Sequence, residues 1–365
     1  MKRIFIASLL TLAFLVLLGA GQTGAQQSER AERAERAVRG QIDKAPAGKE
    51  QMASATAPES NYTIAPLRRD FKNSFPIPAG EKLEYEIKLS RFPIYASVGV
   101  VTLENLGEIA VRQKLVDQTT QEKKAEPLIN GLNIEFTPAP DEQILRLRGT
   151  AVSKGALLGL FGIDVRDRFE ALVDLRDFSA RVSLKEVKEG KKHSIQSALF
   201  DRAEQQVKYL TTDLTKPDAP PRANATPLER KDGMLSLISA IYFVRLQKMK
   251  EGQMITFPVS ADEQNYQFEV LVSRRESLKT DCGKVKTVRL EPKLFGPGRL
   301  ISRQGEMTMW VSDDSKHTPL RLLAKTSVYT VTAKLLNFKK KCHIIEQGDE
   351  KGETRGNSGT GGKVE

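Results

Sequence analysis

Few side chains in this chain stand at spacings that carry out catalysis. The three histidines, His193, His317 and His343, lie far apart, with no HExxH or other short metal-ligand spacing. There is no GxSxG nucleophile elbow and no Walker loop. The FGPGR stretch at Phe295–Arg299 holds two glycines but lacks a strand-to-helix context, so it reads as a turn rather than a phosphate loop. Asp313, Asp314 and His317 share one short loop and could hold a cation; they serve equally well as a solvated turn. Arg245, three residues after Tyr242, could anchor an anionic headgroup, or could pair with an acid at a sheet edge. The expectation is a protein with no catalytic residues, no metal site and no cofactor.

The residues that suggest binding are apolar or aromatic. The segment Lys154–Ile163, KGALLGLFGI, places Leu157, Leu158 and Phe161 among three glycines, as a short helix or loop packed over a sheet, or as a hydrophobic lip at the mouth of a cavity or a membrane-touching loop. With Tyr242, Arg245 and Trp310 these are the candidate ligand-contacting residues. The chain has two cysteines, Cys282 and Cys342, too few and too far apart for a CxxC or metal motif. An oxidising compartment permits a disulfide between them, which spacing alone does not decide.

The compartment is suggested by the N-terminus. Lys2 and Arg3 precede an apolar run, Ile4–Leu18, and small residues ending in Thr23-Gly-Ala25. Residues 1–25 therefore read as a secretory signal peptide, too short for a membrane span. No second apolar run is long enough to cross a membrane. The expected location is periplasmic, with secretion as the alternative. Residues 26–72, beginning with the SERAERAERA repeat, and residues 346–365, rich in glycine, hold too few large apolar residues to offset the entropy of ordering and read as disordered.

The formal charge is +11, or +9 without Lys2 and Arg3. The basic pairs are scattered and lack interleaved aromatic platforms, which argues against nucleic acid and leaves attraction to anionic headgroups or acidic glycans.

Between the tails, residues 73–345 alternate in hydrophobicity, as in Leu83, Tyr85, Ile87 and Leu89 against Lys82, Glu84, Glu86 and Lys88. Strands are expected through most of this region, among them Glu108–Leu115, and a hairpin at Asn130-Gly131. The proline-rich stretch 214–227 reads as a connection between halves at about 73–215 and 228–345. The period then changes: Leu235, Ile238, Tyr242 and Leu246 predict one helix over Asp232–Lys248, capped by Asp232 or by a Thr226–Glu229 capping box. Trp310–Leu320, WVSDDSKHTPL, predicts a hairpin with Pro319 opening its second strand. The expected fold is mainly β: a curled antiparallel sheet, either a half-barrel or two β lobes, with one main helix packed on it.

Three stretches resemble one family: GEKLEYEI from Gly80, DGMLSLISAIYFVR from Asp232, and WVSDDSKHTPL from Trp310. In this order they resemble the bacterial exported family known as domain of unknown function 3108. The matching positions are Gly80, Glu81 and Tyr85; Asp232, Ser239, Ala240, Tyr242 and Arg245; and Trp310, Asp313, Asp314 and Pro319. The resemblance implies no activity and carries over no catalytic residue. The build also resembles, in architecture alone, the half-barrels of periplasmic lipoprotein carriers. Three functions follow as expectations: a non-catalytic periplasmic binder or carrier of an apolar, lipid-like ligand; an envelope scaffold for a protein or glycan partner; and an enzyme acting on an envelope polymer.

Overall fold

A computed structural model of the chain describes residues 75–91, 94–109, 129–139, 142–154, 164–230, 233–281 and 283–336. The expected signal peptide, linker and C-terminal tail, Leu157, Leu158, Phe161, Asp232, Cys282 and Cys342 lie outside these residues.

The strands are β1 (Lys82–Arg91), β2 (Ile94–Ile109), β3 (Ile144–Ser153), β4 (Arg166–Asp174), β5 (Ala180–Glu189), β6 (Lys192–Asp201), β7 (Gln206–Asp213) and β8 (Arg222–Pro227). After the helix α1 (Leu237–Arg245) come β9 (Met254–Ala261), β10 (Gln264–Thr280), β11 (Gly283–Pro292), β12 (Gly305–Ser312), β13 (Pro319–Thr326) and β14 (Thr330–Leu335). All join one antiparallel sheet in the order β8-β7-β6-β5-β4-β3-β2-β1-β14-β13-β12-β11-β10-β9. Each half is a meander of consecutive hairpins. The pairing of β1 with β14, from Tyr85↔Leu335 to Ser90↔Thr330, welds them into one sheet rather than two lobes.

The sheet curls because one face is apolar and must be buried. Leu83, Tyr85 and Ile87 of β1 are at most 1% exposed, while Lys82 and Lys88 face outward. A single large core joins these residues with Phe169, Val173, Phe257, Val288 and Leu322. Helix α1 lies in the concavity. All its residues except Ile241 are buried, as expected of a helix apolar on nearly every side. Phe75, Phe178, Phe243, Phe257 and Phe268 form a chain of ring contacts, with successive centroids 5.1–6.4 Å apart. Outward charge and inward apolarity are the reverse of a membrane barrel's alternation. Among the described residues no helix is long and apolar enough to cross a membrane.

Several local expectations are corrected. The helix starts at Leu237, five residues later than expected. Ser236 is its N-cap and forms a capping box with Ser239, whose hydroxyl accepts from the Ser236 N–H at 2.8 Å. Thr226 and Pro227 instead end β8, so the proline-rich connection contains a strand. Pro227 is tolerated there because β8 is an edge. The helix stops at Arg245, before Lys248. Glu108 and Ile109 do not begin a separate strand; they continue β2 past an irregularity at Asn105/Gly107. Residues 129–139 form no hairpin. They lie on the outer face of β3–β6, where Ile129, Leu132 and Phe136 pack with Leu172, Val182 and Leu184.

The two ends of the sheet are joined by side chains. In an antiparallel ladder, directly paired residues share a face. Phe169, Lys185, Gln196, Thr211 and Arg222 are such a row across β4–β8, on the inner face. The two-residue turn Asp262–Glu263 between β9 and β10 docks on this row: Glu263 accepts from Gln196 and Thr211, each at 3.2 Å, and from Arg222. The β9–β10 end therefore tucks beneath the β8 end, in the manner of a spiral.

Candidate functional site

The resemblance-bearing stretches meet at one place. Arg245, at the C-terminus of α1, donates from Nη1 and Nη2 to the two carboxylate oxygens of Glu81 at 2.7 and 2.9 Å. Its Nε donates to the Lys316 carbonyl at 3.2 Å, and its own carbonyl accepts from His317 Nδ1 at 2.8 Å. Tyr85 donates to the Pro319 carbonyl at 2.9 Å. The Arg245 guanidinium lies 5.3 Å from the centroid of the Tyr242 ring. The expected hairpin thus exists, and its loop is clamped to the end of the helix.

The chemistry of this hub is mutual satisfaction. Burial opposes the charge on Arg245, but the hydrogen bonds it donates to the Glu81 carboxylate outweigh it and hold the guanidinium pKa above its ordinary value. Burial also pushes the Tyr85 and Tyr242 phenols up, against the pull of Arg245, so both stay neutral. The Tyr242 hydroxyl has no hydrogen-bond partner among the described residues. Arg245 is 2% exposed and committed to Glu81, which leaves it no free donor fork for a headgroup.

The other sequence-derived candidates lie elsewhere. Trp310 sits half-buried on the outer face of β12, donates its Nε1–H to Glu276 and lies under Arg289 at 6.0 Å. Leu157, Leu158 and Phe161 are outside the described residues; the flanking Ser153 and Val165 pair across the β3–β4 connection. Asp314 Oδ1 accepts from the backbone of Lys316 and His317 at 2.9 and 3.0 Å, and Asp313 pairs with Arg275 at 3.1 Å, so both acids build the turn.

Acidic side chains that the sequence did not single out are more informative. Glu170, 0% exposed, binds Arg146, Arg148 and Arg168 at 2.7, 3.1 and 2.9 Å. Burial raises its pKa, yet the arginines more than reverse that. Asp174 and Glu142 are likewise spent on Arg176, Arg202 and Arg181. Asp167 is different. It is 2% exposed on the inner face of β4, its Oδ1 accepts from the Lys188 N–H at 3.0 Å, and its Oδ2 has no partner among the described residues. Burial, aided by the Glu189 carboxylate, pushes its pKa up to about 7.

Near the overlap of the sheet ends, Ser183, Lys185, Gln196, Tyr209, Ser236, Ser260 and Asp262 line a crevice of about 30 Å³. Tyr209 and Ser260 share a hydrogen bond of 2.8 Å across the seam. A second crevice, between Leu278, Leu320 and Leu335, is about 10 Å³. Binding pockets for small molecules are typically about 300–1,000 Å³.

Fold and site together define a curled antiparallel sheet filled by its own helix and locked by a buried Arg–Glu hub. Residues 132–336 match the family described as "Protein of unknown function (DUF3108)", and the chain belongs to that family. No curated protein matches. Among solved structures the chain is similar to a beta-barrel-like protein of domain of unknown function DUF1849 from Brucella abortus. That match has 8% identity, covers 71% of this chain and 96% of the other, and has a TM-score of 0.41.

Proposed function

We propose that this protein is a non-catalytic binding protein of the cell envelope, periplasmic or secreted, that holds an amphipathic, lipid-like partner at its rim. The carrying observation is the end of the β1–β2 hairpin. The pairing of β2 with β3 reaches only to Gly99↔Ser153, so Tyr95 stands about 13 Å beyond it at the usual rise per strand residue. Tyr95 is 71% exposed, more than any other large apolar side chain described. Tyr95 pairs with Ser90 and Ser90 with Thr330, which brings the exposed Val328 of the next hairpin alongside. Val152 of β3 is also exposed at this end. Arg91 and Lys154 are exposed beside these residues. Apolar tips flanked by these two cations suit an anionic lipid surface.

The filled concavity supports rim binding over an enclosed cavity, because helix α1 occupies the space that a carried lipid would need. The commitment of Glu142, Glu170 and Asp174 to arginines supports the non-catalytic reading, since a polymer-cleaving site needs two free carboxylates facing one cleft. The scaffold reading draws on β8, an edge strand whose residues are almost all exposed.

The test is co-sedimentation with vesicles of phosphatidylglycerol and of phosphatidylcholine. Binding to the anionic vesicles alone, lost in Tyr95→Ser/Val328→Ser with an unchanged urea midpoint, is the expected result. No binding to either vesicle would overturn the lipid reading and direct the search to a protein partner of β8.

A further inference from the structure

One carboxylate of this protein is held as a bound ligand would be. Glu263 accepts from Arg222 Nη1 and Nη2 at 2.7 and 2.6 Å, from Asn224 Nδ2 at 3.0 Å, and from Gln196 Nε2 and Thr211 Oγ1 at 3.2 Å each. The donors come from three adjacent strands, β6, β7 and β8, and lie on one face. A planar fork with three further donors around both oxygens is the geometry of a carboxylate receptor. An ordinary exposed ion pair has no such shell.

The residue that fills this receptor is under backbone strain. Asp262 and Glu263 have φ of 48° and 63°, so both centre residues of the two-residue hairpin are left-handed. Such turns normally use Asn-Gly, because the left-handed region brings the Cβ of any other residue too close to the following carbonyl oxygen. Here neither residue is glycine. The neighbouring Asp262 forms an ion pair with Lys185, and its Oδ2 has no partner among the described residues. Among the described residues no backbone ladder joins β8 to the β9–β10 end: Leu235 exchanges backbone hydrogen bonds with Pro258 and Ser260 of β9, and side chains alone hold the turn against β6–β8. The Arg222 side chain is 64% exposed, which opens the receptor to solvent from the β8 side.

We infer that the inner face of β6–β8 is a binding site for a carboxylate-bearing ligand, and that Glu263 occupies it as an internal competitor. The ligand's carboxylate takes the place of the Glu263 side chain against Arg222, Asn224, Gln196 and Thr211, and the strained turn is released. This site is separate from the Tyr95 rim. An intramolecular competitor has an effective concentration up to the millimolar range, so the intact protein should bind a small carboxylate weakly and a Glu263 variant tightly.

The experiment is titration of the full chain with glucuronate and with acetate, followed by NMR of the arginine Nε–Hε and the Asn and Gln side-chain amides. Glucose is the uncharged control. Glu263→Gln should bind both carboxylates at least tenfold more tightly than the parent, and Glu263→Gln/Arg222→Gln should lose that gain. Glucuronate stronger than acetate would assign the source to an acidic sugar; equal affinities would assign it to carboxylates in general. Glu263→Gln keeps the size of the side chain, and its urea midpoint reports whether the seam stays folded. A folded Glu263→Gln protein with no carboxylate-dependent shift at Arg222 would overturn the assignment. If that variant is unfolded, Glu263→Asp takes its place. Its shorter side chain cannot fill the receptor equally well, so unimproved binding there would overturn it too.

Discussion

Arg245 and Glu81 face each other through two hydrogen bonds, 2.7 and 2.9 Å long, across 164 residues of sequence, with side chains 1% and 6% exposed. The pair ties the only helix among the described residues to the first strand. The Lys316–His317 turn completes it, so helix, β1 and the β12–β13 hairpin are fixed by one side chain.

Removing one partner of this pair should therefore be costly. Arg245→Met leaves the Glu81 carboxylate buried without its cation, and such losses run to about 3–5 kcal/mol. The double variant Arg245→Met/Glu81→Leu should recover much of that, because no buried charge is left behind. Urea unfolding of the parent, both single variants and the double variant gives the coupling. Additive losses would show that the pair is not a unit.

Asp167 predicts an opposite sign of pH dependence from the arginine-bound acids. Its ordinary pKa is 3.8 and its folded pKa about 7. Below pH 4 both states hold the proton. Between about pH 4 and 7 the unfolded chain releases it while the folded chain keeps it, so stability falls as pH rises and levels off above 7. The charged groups acting on it are Glu189, Lys185 and Lys192. Asp167→Asn preserves an acceptor for the Lys188 N–H and removes the ionisation. It should match the parent near pH 4 and exceed it at pH 8, by a margin on the order of 4 kcal/mol at most. Urea midpoints at both values check this; a pH-independent difference would remove Asp167 as the cause.

Much of the fold was legible because burial wrote it locally. The alternation of Leu83, Tyr85 and Ile87 marks β1, and the polar Ser312–Lys316 break marks the β12–β13 hairpin. The helix was legible as a change of period, but not its start. Ser236 caps it through Ser239, and the spacing of Met234 and Leu235 continues the helical pattern although those residues bridge to strands. Strand β8 was hidden by prolines that an edge tolerates. The site was far less legible. Arg245 and Glu81 both stood among the positions of the family resemblance, but nothing in the local pattern paired them across 164 residues. Glu263 meets Gln196 and Arg222 across 67 and 41 residues, and no local pattern encodes a contact that arises from the overlap of sheet ends.

Trp310 offers a probe of the outer surface. It is the only tryptophan of the chain and is half-buried at the margin of the core, with its Nε1–H on Glu276. That bond, ahead of Arg274, holds the Glu276 carboxyl below its ordinary 4.5. Acid titration of the folded protein's fluorescence should show a transition below pH 4.5, and acrylamide should quench the emission. Trp310→Phe should lower stability by about 1 kcal/mol, well under the 3–5 kcal/mol of a core aromatic truncation. An emission spectrum untouched by acrylamide would place the ring in the interior instead.

Gly233 should be the least replaceable glycine of the helix entry. Its φ of 108° is accessible to glycine alone at low cost, and a Cβ there would lie 2.5 Å from the Ser179 Cβ. The residues that follow have no slack: the Met234 carbonyl accepts from Ala180, and Leu235 exchanges hydrogen bonds with Pro258 and Ser260 of β9. Gly233→Ala must therefore push the β5 start away from the β9 edge, and a loss of about 2–4 kcal/mol is expected. Gly252→Ala is the control, since φ there is 77° but nothing lies within 4 Å of the added Cβ, which leaves backbone strain of about 1 kcal/mol. The two urea midpoints separate crowding from strain: equal losses would mean that β5 and β9 can part without cost, and that the stitch through Met234 and Leu235 does not hold the helix in the sheet.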